Sequence, residues 1–177
     1  MAEESTAATS SNWAITLRQK LPLMGHRNWI GVVDAAYPIQ SSPGIEMIAT
    51  GAPAPEVLAT LLSALESATH IRPIVYMDAE LAFVAVEDAP GVASYRHYLK
   101  AVLAPFPART TEHEQLISHL AHAAREFNVL LLKTTLLIPY SSVFFELQCG
   151  YWSSAAEERM RAAIEAHSAS SGKITLV

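Results

Sequence analysis

The chain has 177 residues, 51% of them hydrophobic and 16% charged, so one ordinary domain with a sizeable core is expected rather than a disordered chain. A formal charge of -5, with Lys and Arg scattered rather than clustered, argues against a nucleic-acid binder, because no basic excess exists to neutralise phosphates. Cys149 is the one cysteine, so no intramolecular disulfide can form and a reducing compartment, the cytoplasm, is the default expectation.

Residues 1–11, "MAEESTAATSS", are small, polar and acidic, and read as a disordered tail. They lack the basic and apolar regions of a secretory signal, and no apolar run reaches the length of about 18 residues that a membrane span needs. Trp13, Leu17 and Leu21 recur every fourth residue, which predicts a short amphipathic helix from Asn12, capped by Ser11 or Asn12 and ended near Gly25. "WIGVVDA" reads as a buried β-strand and "IEMIAT" as a second, with the two-proline loop "YPIQSSPG" between them. "PAPEVLATLLSALESA" predicts a helix, with Pro55 in its first turn and Leu58, Leu61, Leu62 and Leu65 on one face. "IRPIVYM" is a strand with its proline near the start. "GVASYRHYLKAVLAPF" and "TTEHEQLISHLAHAAREF" are helices, the second with Thr110 or Thr111 as cap and Glu114 completing a capping box. "NVLLLKTT" and "SSVFFELQCGYW" are strands, and "SAAEERMRAAIEAHSAS" is a helix rich in Ala, Glu and Arg. Strands and helices alternate, which predicts an α/β layered domain with a mixed or mostly parallel sheet. The boundaries that follow are a tail at 1–11, a domain at 12–152 and a helical extension at 153–177 packed on that domain.

Several chemistries find no support. There is no glycine-rich phosphate loop, no dinucleotide fingerprint and no G-x-S-x-G elbow. His119, His122 and Glu126 share a helix face, but one helical pair falls short of the three or four convergent ligands of a metal site, so a solvated polar face is the better reading. Cys149 lies in an apolar strand and reads as a buried structural thiol. What stands out is "LMGHRNWIGVVDAAYPI". His26 follows a glycine at a turn before a short strand, and Asp34 follows that strand. In open α/β sheets, residues beyond the carboxyl ends of strands line the ligand crevice. A surface histidine and a turn aspartate are the alternative reading.

"MGHRNWIGVVDAAYP" resembles the opening motif of the D-ribose pyranase / L-fucose mutarotase (RbsD/FucU) family, in which Gly-His precedes a hydrophobic strand, Asp-Ala and a proline. "TEHEQL" resembles the Thr-His-Glu-Gln element of the ribose branch, and "KTTLLIPYSSVFFELQCG" the family's closing segment. "ATGAPAPEVLATLLSALES" and "RPIVYM" resemble the helix and strand of the fucose branch. The resemblance runs from about Leu17 to Gly150, in the family's order and spacing. It implies an RbsD-like fold, with His26 as the catalytic histidine and Asp34, His113, Tyr140 and Ser142 binding the sugar. Ser142 stands where the family has asparagine, Leu136 where it has glutamate, and Thr135 where it has glycine.

The activity so implied is interconversion of anomers or ring forms of a fucose- or ribose-like monosaccharide. Ring opening needs one group to take the anomeric hydroxyl proton and another to protonate the ring oxygen, and it calls for no metal and no other cofactor. Histidine, with an ordinary pKa of about 6.5, can do either near neutral pH. Tyr37 or Trp29 could pack on the apolar face of a pyranose. The resemblance also implies self-association into a ring-like homo-oligomer, often a decamer, with sites at subunit boundaries. Nucleic acid and membrane are not expected partners. A non-catalytic sugar-binding or regulatory protein, a scaffold without a sugar site, and a metal site at His119, His122 and Glu126 stand as alternatives.

Overall fold

The computed structural model describes residues 3–170, and the side chains of residues 12–168. Its elements run α1 (Glu3–Lys20), β1 (Trp29–Val33), β2 (Ile45–Ala49), α2 (Ala54–Ser67), β3 (Ile71–Asp78), α3 (Val92–Val102), β4 (Ala108–Thr111), α4 (His113–Ala123), β5 (Val129–Lys133), β6 (Val143–Cys149) and α5 (Ser154–Ser170). Short 3₁₀ turns at Leu21–Leu23 and Ala79–Phe83 follow α1 and β3. The strands form one six-stranded sheet in the order β2-β5-β1-β6-β3-β4. β6 runs antiparallel to both its neighbours, β1 and β3, while the pairs β1·β5, β2·β5 and β3·β4 are parallel. The expected α/β layering with a mixed sheet is what the chain adopts.

Strand periodicity divides the core between the two faces of that sheet. Ile30 and Val32 of β1, Val75 of β3, Leu130 and Leu132 of β5, and Val143, Phe145 and Leu147 of β6 join Leu17, Leu58, Leu61 and Leu99 from α1, α2 and α3. The alternate residues Trp29, Val33, Tyr76, Leu131 and Phe144 meet Leu116 and Leu120 of α4. Asp78 has the parity of Tyr76, so β3 delivers its carboxylate to the face on which α4 begins. Gly31 leaves space for ring and methyl: a Cβ there would lie 2.7 Å from Leu131 Cδ2 and 2.8 Å from Phe144 Cδ1.

Four local expectations are replaced. α1 starts at Glu3, so the Ser11 or Asn12 cap falls inside a helix and part of the expected tail is helical backbone. Residues 1 and 2 lie outside the described residues. Thr110 and Thr111 belong to β4, paired with Met77 and Asp78, so they cannot cap α4. Its N-cap is Glu112, which makes no side-chain capping bond, and the carboxylate of Glu80 takes that place from outside the helix by accepting from His113 N–H. Cys149 is half-buried at the end of β6 rather than buried. α5, expected to pack on the domain, is exposed over its described side chains, 154–168, except at half-buried Ala156 and Glu157, and residues 171–177 lie outside the described residues.

Candidate functional site

The carboxyl ends of β1, β3 and β5 and the start of β6 meet at one edge of the sheet, and the loops there carry a polar cluster. Asp34 is the first residue after β1. Its Oδ1 accepts from Ala36 N–H at 2.8 Å, closing a tight Asx turn, and its Oδ2 accepts from Ser142 Oγ at 3.3 Å. The turn is tied to its neighbours as well. Ala35 N–H donates to Leu136 carbonyl at 2.9 Å, and Lys133 Nζ donates to Tyr37 carbonyl at 2.8 Å. Asp34 is therefore a turn aspartate that also accepts from Ser142.

His113 opens α4 and is fixed at two points by the segment leaving β3. Its backbone N–H donates to both oxygens of Glu80, at 3.0 and 3.1 Å. That hydrogen bond, more than any other influence, holds the Glu80 carboxyl below its usual range. Its ring Nδ1 lies 3.1 Å from Asp78 Oδ1. Asp78 is 2% exposed, and its Oδ2 is buried with no hydrogen-bond partner among the described residues. Burial pushes the Asp78 carboxyl up from its usual range, against the pull of His113; the charges of Glu80 and Asp34 push it further up. The His113 and Tyr140 rings meet nearly perpendicular, 5.4 Å between centroids. Tyr140 holds a left-handed backbone, φ 54°, which a side chain adopts only when its surroundings impose it. Those surroundings are the buried Ser141, whose Oγ donates to Ile138 carbonyl and whose own carbonyl accepts from Tyr95 Oη.

Asp34 with Ser142 and His113 with Tyr140 thus form two contacting pairs, joined through the short segment Tyr140–Ser142, and Asp78 beside His113 feels the like charge of Asp34. His26 does not join them. It sits at the amino end of β1, whose length at about 3.3 Å per residue puts roughly 20 Å between His26 and Asp34. There it is exposed. Trp29 and Tyr37 are buried core residues, 6% and 3% exposed, so neither offers a face for a sugar. His119, His122 and Glu126 line a surface groove with Arg27, Trp29, Tyr76 and Glu146. Among the described residues, no group of three or more His, Cys, Asp or Glu is arranged to hold a metal ion. Asp78 and Glu80 escape a sequence reading that stops at "IRPIVYM". The signal was present, since "IRPIVYMD" repeats the strand-then-aspartate layout of "WIGVVD".

The fold and this cluster define an α/β protein with carboxylate, imidazole, phenol and hydroxyl groups gathered at its strand ends. No protein-family model matches the chain, and no curated protein does. Solved structures do share its fold. Bacillus subtilis RbsD complexed with D-ribose superposes with a TM-score of 0.50 at 16% identity, over 78% of this chain and 93% of that one. FucU from Bifidobacterium longum gives 0.51 at 14% identity, covering 78% and 95%. The fucose mutarotase of Streptococcus pneumoniae in complex with L-fucose gives 0.50 at 16%, covering 78% and 93%. The fold expected from the sequence motifs is the fold observed. Among the described residues, no helix is long and apolar enough to cross a membrane.

Proposed function

We propose that this protein is a monosaccharide mutarotase or pyranase acting by acid–base ring opening on a fucose- or ribose-like sugar. One observation supports the reading most: four residues that three separate motifs match to a sugar site, Asp34, His113, Tyr140 and Ser142, form two contacting pairs at the strand ends of a fold shared with a ribose-bound and a fucose-bound protein. Asp34, Tyr140 and Ser142 hold sugar hydroxyls. As the ring opens, the anomeric O–H proton leaves to a base, the bond from the anomeric carbon to the ring oxygen breaks, a carbonyl forms, and the ring oxygen gains a proton. Reclosure on the other face of that carbonyl gives the other anomer. Each well-placed acid or base contributes about 10²–10⁴-fold, and neither a metal nor a redox cofactor enters the chemistry.

His26 is the proton-transferring residue in this proposal, and it reaches a site by standing at the boundary with a second copy of the chain. The roughly 20 Å that separates it from Asp34 within one chain requires this. Ring-like self-association, as a decamer, follows from the same reading. Exposed Ile39 and Leu137, both 85% exposed in the loops that flank Asp34 and Tyr140, are the kind of side chain such a boundary covers. The single cysteine suits the cytoplasm.

The second reading is a sugar-binding or regulatory protein without catalysis, favoured by Ser142 and Leu136 where the family carries an amide and a carboxylate. Exchange spectroscopy by NMR separates the two, with ribose, fucose, galactose and glucose as the panel. Anomer exchange accelerated by the protein and lost in His26→Ala supports the mutarotase. Broadening of a sugar's lines that depends on Asp34, without acceleration, supports the binding protein. No effect with any of the four sinks both.

A further inference from the structure

Ring opening needs two proton-transferring groups, and His26 supplies one. The strand-end cluster contains one imidazole of its own, His113, and the chain treats that residue unlike a passive lining group. Its backbone is anchored by Glu80 and its ring by Asp78, which sit two residues apart on the segment leaving β3. Asp78 is 2% exposed, and a carboxylate kept there has a desolvation cost that a solvated turn aspartate avoids. One of its oxygens receives no donor among the described residues. A fold gains little stability from such a group, which points to a use at the histidine it touches.

Resting on the mutarotase reading above, we propose that His113 is the second proton-transferring group and that Asp78 is its positioning residue. An Nδ1–H donating to Asp78 Oδ1 at 3.1 Å fixes the neutral tautomer, leaving the lone pair on Nε2. Nε2 makes no protein hydrogen bond among the described residues, and the ring is 31% exposed, so a ligand hydroxyl can reach it. Nε2 accepts the anomeric proton as the ring bond breaks, while His26 of a second copy gives a proton to the ring oxygen. The imidazolium formed at His113 is stabilised by the Asp78 carboxylate 3.1 Å away. On reclosure both protons return and the groups are restored. The edge contact with Tyr140 keeps the ring from turning.

Two readouts test this on the full-length protein. The first is the tautomer of His113, read from its ring nitrogen-15 shifts in wild type near pH 8. It needs no variant, so a misfolded mutant cannot blur it. A proton on Nδ1 is the expected result, and a proton on Nε2 overturns the proposal. The second is anomer exchange by Asp78→Asn, whose amide can donate to Nδ1 and so permits the other tautomer. Its kcat is expected to fall tenfold or more with KM within about threefold of wild type. An Asp78→Asn protein with wild-type kcat also overturns it. If wild type accelerates no sugar, the mutarotase reading falls and the proton transfer proposed for His113 falls with it, whereas the tautomer still decides whether Asp78 positions the ring.

Discussion

Replacing Tyr95 by Phe removes one oxygen and changes almost nothing else. Tyr95 is 6% exposed, and its hydroxyl donates to the carbonyl of Ser141, itself 1% exposed, at 3.0 Å. Ring volume is conserved, so no cavity forms. What is lost is a hydrogen bond worth about 0.5–1.5 kcal/mol net, and the carbonyl left dry and unpaired raises the cost to about 1–3 kcal/mol. At a urea m-value of about 2 kcal/mol/M, the unfolding midpoint should drop by about 0.5–1.5 M, compared at one protein concentration. The effect should reach the site too. Ser141 lies between Tyr140 and Ser142, and the left-handed backbone of Tyr140, φ 54°, is strained by about 1–3 kcal/mol unless its neighbours hold it. The His113–Tyr140 contact should therefore loosen, and sugar affinity should fall alongside stability. A midpoint within about 0.2 M of wild type would show that the Ser141 carbonyl finds water or another donor, and the argument from burial would be refuted.

Asp34→Ala removes the acceptor of Ser142 Oγ and a charged hydrogen-bonding group worth about 1.5–3 kcal/mol, so sugar binding followed by NMR titration should weaken about 10- to 100-fold. The Asp78 carboxyl is held by burial above its usual value near 3.8, so its neutral form favours the fold. That contribution is complete below about 3.8 and is lost as pH rises through the higher folded value. Asp78→Asn should accordingly melt at or above wild type near pH 7.5, with the difference closing toward pH 4 in thermal scans. Gly31→Ala drives a methyl against Leu131 and Phe144, both fully buried, and should cost about 1–3 kcal/mol in a denaturant titration. Deleting residues 153–177 removes a helix with two half-buried side chains among those described, and the melting temperature should stay within about 2–4 °C, the shift of a single kcal/mol.

Periodicity located the strands and the cores of the helices because burial writes itself into the sequence at intervals of two and of three to four residues. "WIGVV" and "VLLLK", buried on both faces, read as strands from their apolar continuity alone, and they lie side by side in parallel. Where a boundary depended on a distant partner, the sequence misled. Thr110 and Thr111 look like helix caps until β3 pairs with them, and a strand hydrogen bond then outcompetes a capping one. Trp29 and Tyr37 look like sugar-stacking rings until the second sheet face is seen to need them. The resemblance singled out Asp34, His113, Tyr140 and Ser142 by residue type and order, while the strand Ala108–Thr111 that leads into His113 was not legible, because its pairing partner β3 is distant in sequence.

Tertiary structure alone decided which of these residues meet. β6 folds back antiparallel between β1 and β3, and that crossing carries Ser142 to Asp34 across 108 positions of sequence and Tyr140 to His113. The same geometry sets His26 at the far end of β1, since an extended strand cannot bring its two ends together. It also uncovers Asp78, whose importance lies in being buried beside an imidazole 35 positions away. Local pattern records which face of an element is wet or dry. Which polar groups share a low-dielectric corner is set by strand order, and no single segment of the chain encodes it.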